Sequence, residues 1–176
     1  MLKTALIYGA LSGAITIAVM SLGINSTDTL GEGSSSALFG YTIMLLALVL
    51  IFIGVKRYRD RELGGVIKFG PAFGLGLAIA AVAGVFYVIG WEINLAATDY
   101  AFVEQYPQAI IAQKEAAGAS LEQLQKLTED MAKFSEQYEN PLYRLPITFM
   151  EIFPVGLLVA LFSAAILRNP KAFPAR

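Results

Sequence analysis

Two acidic residues stand in the most apolar surroundings of this sequence. Glu151 lies four residues inside the run ITFMEIFPVGLLVALFSAAIL, which is otherwise uncharged, and Pro154 follows it. Glu92 follows Trp91 at the far end of another apolar run, two residues before Asn94. Together with Thr148, these side chains offer carboxylate, amide and hydroxyl oxygens, a donor set that suits protons or hard cations. Two carboxylates can also do general acid–base work, given a water-filled cleft. The same residues admit a structural reading: Glu92 solvated beside Trp91, and Glu151 bonded to a neighbouring helix or to Arg144. Glu151 is expected to point inward, near Asn94 or Glu92, because lipid offers a charge no partner. Pro154 cannot bond the Met150 carbonyl, and such a local opening suits a helix that lines a cavity.

A second cluster is basic. The segment KRYRDRELGGVIKFG carries Lys56, Arg57, Arg59, Arg61 and Lys68 against Asp60 and Glu62. Beside a membrane, such residues attract anionic headgroups with about 1 kcal/mol each. No phosphate-cradling or dinucleotide glycine pattern occurs, so no cofactor is expected. The sequence has no Cys and no His, which removes disulfides, thiolate nucleophiles and every imidazole-dependent triad. Thirteen basic and 14 acidic residues give a net charge of −1, with no basic surplus for nucleic acid. An enzyme is therefore not expected.

The elements that must position these residues are membrane spans. Hydrophobic residues make up 56% and charged residues 15% of the 176, whereas soluble domains average about 45–50% and about 25%. Mean hydropathy is +0.61. Four apolar runs, about 4–24, 37–55, 69–93 and 147–167, approach or exceed the roughly 20 residues that cross a bilayer. The first is longer than a signal-peptide core and no small-residue cleavage motif follows it, so it is expected to stay as a helix. Basic residues flank the spans at Lys3, in 56–68, and at Arg168, Lys171 and Arg176. The first loop carries only Asp28 and Glu32, and the long third loop holds eight acids against four bases. This distribution predicts four helices with both termini cytoplasmic. The Asn25-Ser26-Thr27 sequon sits in a Gly/Ser-rich connector over 25–36 and matters only in a eukaryotic secretory context.

The insert over 95–145 has helical composition. Ser120 and Gln123 suggest a capping box, and Gly118 ends the preceding helix. Leu124, Leu127, Met131, Phe134 and Tyr138 form one stripe at spacings of three and four, until Asn140-Pro141 stops the helix. The preceding arm is expected to continue from the third span, with Pro107 as a kink or break. The result is an external α-helical hairpin whose stripe is buried against its other arm or against a second chain.

The strings KRYRDRELGGVIKFGPAFGLG and ITFMEIFPVGLLVALFSAAILRNP resemble a bacterial membrane family catalogued as domain of unknown function 4199. The matching motifs are a Y-R-D-x-E-L-G-G-like core at 58–65 and an F-x-E-x-F-P-x-G-like opening of the last helix at 149–156. The order of four helices with a long loop before the last is also similar. The resemblance implies the bacterial inner membrane and an all-α, four-span architecture, and it supplies no catalytic residue.

Small residues recur every fourth position at Gly9 and Gly13, at Gly70, Gly74 and Ala78, at Gly76, Ala80 and Gly84, and at Gly156, Ala160 and Ala164. Such faces let helices approach closely, within a bundle or between copies. The expected function is a non-enzymatic structural or accessory subunit with a protein partner or a second copy. The alternative is a small proton- or cation-coupled transporter built on Glu151 and Glu92. Spans one–two and three–four differ in length, loop size and charge placement, so the internal repeat common among transporters is missing.

Overall fold

In hydrocarbon a backbone must satisfy its own hydrogen bonds, and long uncharged runs therefore become helices. A computed structural model of the chain describes residues 1–25 and 37–174. Residues 26–36, which hold most of the first connector with Asp28 and Glu32, and Arg176 lie outside the described residues. Six helices occur among the described residues, and no strand: α1 Leu2–Asn25, α2 Ala37–Glu62, α3 Phe69–Ala97, α4 Ala101–Ala116, α5 Leu121–Glu139 and α6 Pro141–Leu167. Four of them, α1, α2, α3 and α6, are long and apolar enough to cross a membrane.

These helices outrun the apolar runs at several ends. α2 continues seven residues past Val55 to Glu62, because Lys and Arg are good helix formers and Lys56 pairs with Asp60 one turn on. α6 begins at Pro141, six residues before the apolar run, where proline's fixed φ suits the first turn.

The chain forms two compact units, Met1–Trp91 with Thr148–Arg176, and Glu92–Ile147. In the first unit many of the buried positions are small. Ala5, Ser12, Thr16, Ala72, Ala80, Ala83, Ala160, Ser163 and Ala164 lie inside, while Leu6, Leu11, Leu45, Leu46, Ile89, Leu158 and Phe162 are exposed. Large apolar residues such as Leu48, Ile51, Leu75, Ile79 and Ile152 are buried beside them, and the small residues let the helices approach closely. A Cβ at Gly13 would strike the Ala83 carbonyl oxygen, one at Gly76 would lie 2.9 Å from the Ala160 Cβ, and one at Gly156 would lie 2.8 Å from the Ala80 Cβ. The Gly76, Ala80 and Gly84 face of α3 therefore packs on α6, where Phe149 covers Gly84. Gly70 and Gly74, on the other small-residue face, have open space beside them, and Ala78 is exposed. The Ser12 hydroxyl donates to the Ala47 carbonyl at 2.8 Å and ties α1 to α2.

The second unit is a helical hairpin. Its entry differs from the sequence expectation. The chain turns at Asp99 and Tyr100, with φ of 48° and 57°, and α4 then runs through Pro107 unbroken. Pro107 is buried two turns into the helix, and the Val103 carbonyl that its missing N–H leaves free accepts from the Ser135 hydroxyl at 3.3 Å. Gly118, at φ 81°, ends α4. The Ala119 N–H reaches the Lys114 carbonyl at 3.1 Å and the Gly118 N–H the Glu115 carbonyl at 2.9 Å, a Schellman closure. The expected capping box is present, with Ser120 N–H donating to Gln123 Oε1 at 2.9 Å and Gln123 N–H to Ser120 Oγ at 3.3 Å. Tyr106 meets Phe134 and Phe102 meets Tyr138, with ring centroids 5.8 and 6.1 Å apart. The stripe thus packs on its own arm, but only Tyr138 is buried; Leu124, Leu127, Met131 and Phe134 remain half-exposed. One facing helix covers only part of such a stripe.

Candidate polar sites on the spanning helices

The structure gives the two intramembrane acids separate partners. Glu92 belongs to the hairpin unit and is held by Arg144. The Arg144 Nε donates to Glu92 Oε1 and one terminal nitrogen to Oε2, both at 2.7 Å. This is the planar, two-point fork that arginine forms with a carboxylate. The other terminal nitrogen donates to the Tyr138 and Glu139 carbonyls at 2.9 and 3.3 Å. Those are the last carbonyls of α5, orphaned by the helix end, and a cation is favourable there. The guanidinium also lies 5.5 and 5.9 Å from the ring centroids of Tyr100 and Tyr138. Arg144 is 3% exposed and joins the end of α3 to the end of α5 and the start of α6. Glu92 is therefore half of an ion pair and not a solvated interfacial acid.

Glu151 keeps a bond to a neighbouring helix although much of its residue surface is open. It is exposed on the surface of the spanning unit, and its Oε2 accepts from the buried Tyr87 hydroxyl at 3.2 Å. Two facts make that position affordable. A bilayer-length segment of roughly 20 residues counted back from Leu167 starts near Thr148, so Glu151 lies about one turn, ~5 Å, inside it. The cost of a charge falls steeply toward that edge. A hydroxyl donor is also within reach, as the neighbouring-helix reading requires. Thr148 is buried and Asn94 half-buried, and the Asn94 carbonyl accepts the Thr98 hydroxyl at 2.9 Å. Among the described residues no three acidic side chains converge on a metal-sized site.

The basic cluster splits. Arg57, Arg61 and Lys68 are exposed and Lys56 is half-exposed. Arg59 is a correction: it is 0% exposed. Its Nε donates to Asp60 Oδ1 at 2.7 Å, and its terminal nitrogens donate to the carbonyls of Ala172 at 2.9 Å, Leu167 at 3.4 Å and Phe173. The Leu167 carbonyl ends α6, so Arg59 serves α6 as Arg144 serves α5. The following turn is built for this placement. Gly64 and Gly65 take φ of 65° and 92°, and the Gly65 N–H closes back on the Arg59 carbonyl at 2.9 Å. The Y-R-D-x-E-L-G-G string thus holds a buried clamp and its turn. Both Arg59 and Arg61 adjoin Asp60, so the string itself does not single out the buried arginine.

Both motifs thus carry architecture: the first supplies the Arg59 clamp and its glycine turn, the second Phe149 over Gly84, Glu151 on Tyr87 and Gly156 on Ala80. The chain belongs to the family described as protein of unknown function (DUF4199). The family model matches residues 3–169, nearly the whole chain. No curated protein and no solved structure matches. Membership in DUF4199 joins four candidate spans to a family without an assigned activity.

Proposed function

We propose that this chain is a non-enzymatic integral protein of a bacterial inner membrane, a structural or accessory subunit that works through a partner or a second copy. Both termini lie in the cytoplasm and the hairpin over 95–145 stands outside. The placement is supported by Arg59. Its bonds to the Ala172 and Phe173 carbonyls put the basic end of α2 and the basic tail at one end of the spanning unit, the grouping that positive-inside orientation requires. Lys56, Arg57, Arg61 and Lys68 then meet anionic headgroups.

One observation carries the accessory reading: charged side chains on or beside the spans hold helix ends in place. Glu92 is forked to Arg144, and Arg59 is anchored to carbonyls of α6 and the tail. A transport cycle needs groups that exchange partners, and these are fixed. The hairpin's half-exposed stripe and the open Gly70–Gly74 face supply surface for association.

The second reading, proton- or cation-coupled transport, draws on Glu151, an exposed acid on a spanning helix with a hydroxyl beside it. Flux assays on the purified chain in liposomes separate the two. The accessory reading expects the wild type and Glu151→Gln to be alike. Proton or cation flux that Glu151→Gln abolishes, in a protein that still folds, would establish transport instead.

A further inference from the structure

We infer that the cleft between the end of α2 and the C-terminal tail is a discrete binding site for one acidic glycerophospholipid, with Arg57 and Arg61 on its phosphate and Ile53 and Phe173 against its first acyl methylenes. The site rests on the membrane placement proposed above and is independent of the accessory role.

The cleft is half open, offers about 650 Å³ and is lined by Ile53, Lys56, Arg57, Asp60, Arg61, Phe173 and Pro174. That volume lies within the about 300–1,000 Å³ usual for small-molecule pockets. Its lining follows from helix geometry. Ile53, Arg57 and Arg61 are four residues apart and share one face, each about 6 Å further along the axis. Ile53 belongs to the uncharged part of α2, and Lys56 is the first charge after it. The stripe therefore crosses from hydrocarbon depth to headgroup depth, as a phospholipid does.

The charge balance leaves a cation pair. Asp60 accepts from Lys56 at 2.5 Å and from Arg59 at 2.7 Å, so the lone acid of the lining is already matched. Arg57 and Arg61 form no ion pair within the described residues. They are like charges at i and i+4, an arrangement that is unfavourable until an anion bridges it. A phosphate diester is the kind of anion that guanidinium forks bind.

The opposite wall is held in place. Arg59, behind the cleft, donates to the Ala172 and Phe173 carbonyls. The Phe173 ring meets Phe52 edge-on at 5.3 Å and 78°. Phe173 has φ 51°, a left-handed conformation that a bulky residue rarely adopts without external constraint. The buried arginine fixes the tail where its aromatic residue faces the basic stripe, and Phe173 is nonetheless 57% exposed. An apolar wall facing a cation pair at the membrane boundary matches an amphipathic anion better than a soluble one.

The test titrates phosphatidylglycerol into the full chain purified in uncharged detergent, with bound lipid counted by native mass spectrometry. The site predicts saturation at one lipid per chain. Arg57→Gln/Arg61→Gln should weaken binding about thirtyfold, about 2 kcal/mol at about 1.4 kcal/mol per tenfold. Arg57→Lys/Arg61→Lys should fall between the wild type and the neutralised pair, because the charge is retained but the two-point forks are lost; weakening as large as that of the neutralised pair would overturn charge as the main attraction. Arg168→Gln/Lys171→Gln, equal in charge and outside the lining, should stay within about threefold if the pocket and not the net charge holds the lipid. Equal weakening by the two neutralising pairs, or binding without saturation, would reduce the site to diffuse attraction and overturn it while leaving the accessory reading intact. Inorganic phosphate and glycerol 3-phosphate should not compete at concentrations equal to the lipid. Competition at parity would assign the cation pair to a soluble phosphate and overturn the lipid.

Discussion

Replacing Arg59 with methionine tests the clamp on the tail. The substitution keeps a long apolar stem and removes three kinds of contact: the Asp60 bond at 2.7 Å, the Ala172 bond at 2.9 Å, and the weaker reach to Leu167 at 3.4 Å with the bond to Phe173. Hydrogen bonds to charged groups contribute about 1.5–3 kcal/mol each. Two effects reduce the loss. Asp60 keeps Lys56, and the tail carbonyls lie at the end of the unit, where water can replace the guanidinium. The net cost should fall near the lower end of the about 3–5 kcal/mol typical of breaking a buried charge pair. In a chain of this length about 3 kcal/mol corresponds to a thermal midpoint lower by about 6–12 °C. The natural sequence has no cysteine, so Ala172→Cys reports the tail cleanly. Its maleimide labelling should be slow with Arg59 present and accelerate with Arg59→Met. Arg59→Lys should fall between, since one ammonium cannot serve a carboxylate and several carbonyls at once. A midpoint within about 3 °C of the wild type, with unchanged labelling, would mean a loss below about 1 kcal/mol and refute the clamp.

Three further outcomes follow from the same geometry. Arg144→Met leaves Glu92 without its fork and should cost about 3–5 kcal/mol in thermal or denaturant unfolding, whereas Glu92→Leu with Arg144→Met should recover the part due to the unpaired acid and not the part due to the α5 carbonyls; a double variant no more stable than Arg144→Met alone would contradict the pairing. Gly13→Ala drives a methyl into the Ala83 carbonyl and should destabilise by about 1–3 kcal/mol. Gly74→Ala, with open space around it, should be neutral or stabilising by up to about 1 kcal/mol, and equal effects from the two would refute the assigned packing faces. Cysteines introduced at Ser120 and Arg61 should label from outside and inside the cell respectively, and outside labelling of Arg61→Cys would reverse the proposed orientation.

The spans were legible because lipid imposes a length and an apolar composition that local sequence must meet. The hairpin's caps were legible for a related reason: Ser120 with Gln123, and Gly118, act over three or four residues. The long-range contacts were not. Arg59 meets carbonyls 108 and more residues away, and nothing local distinguishes it from Arg57 or Arg61. Helical phase assigns them differently, since Arg57 and Arg61 share a face that Arg59 does not, but phase alone does not say which face is covered. Glu92 and Arg144 are opposite charges at the two ends of the insert, which made an ion pair available without choosing it over Glu151. For Glu151, cost alone argues for an inward side chain. Its shallow depth lowers that cost, and the Tyr87 hydroxyl offsets part of the rest. Proline is the usual helix breaker, so Pro107 is the local signal for a break after α3, yet the left-handed pair Asp99 and Tyr100 makes the turn.

The most direct test of the accessory role is the stoichiometry of the chain at native abundance. A C-terminal tag would disturb the tail that Arg59 holds, so the chain is tagged at its N-terminus, extracted in mild detergent and quantified with everything that accompanies it. The account predicts a fixed molar ratio to one protein partner or to a second copy, and loss of that partner when the half-exposed Leu124 and Leu127 are changed to aspartate while the spans remain folded. Recovery of the chain as a folded monomer without a stoichiometric companion would contradict the account.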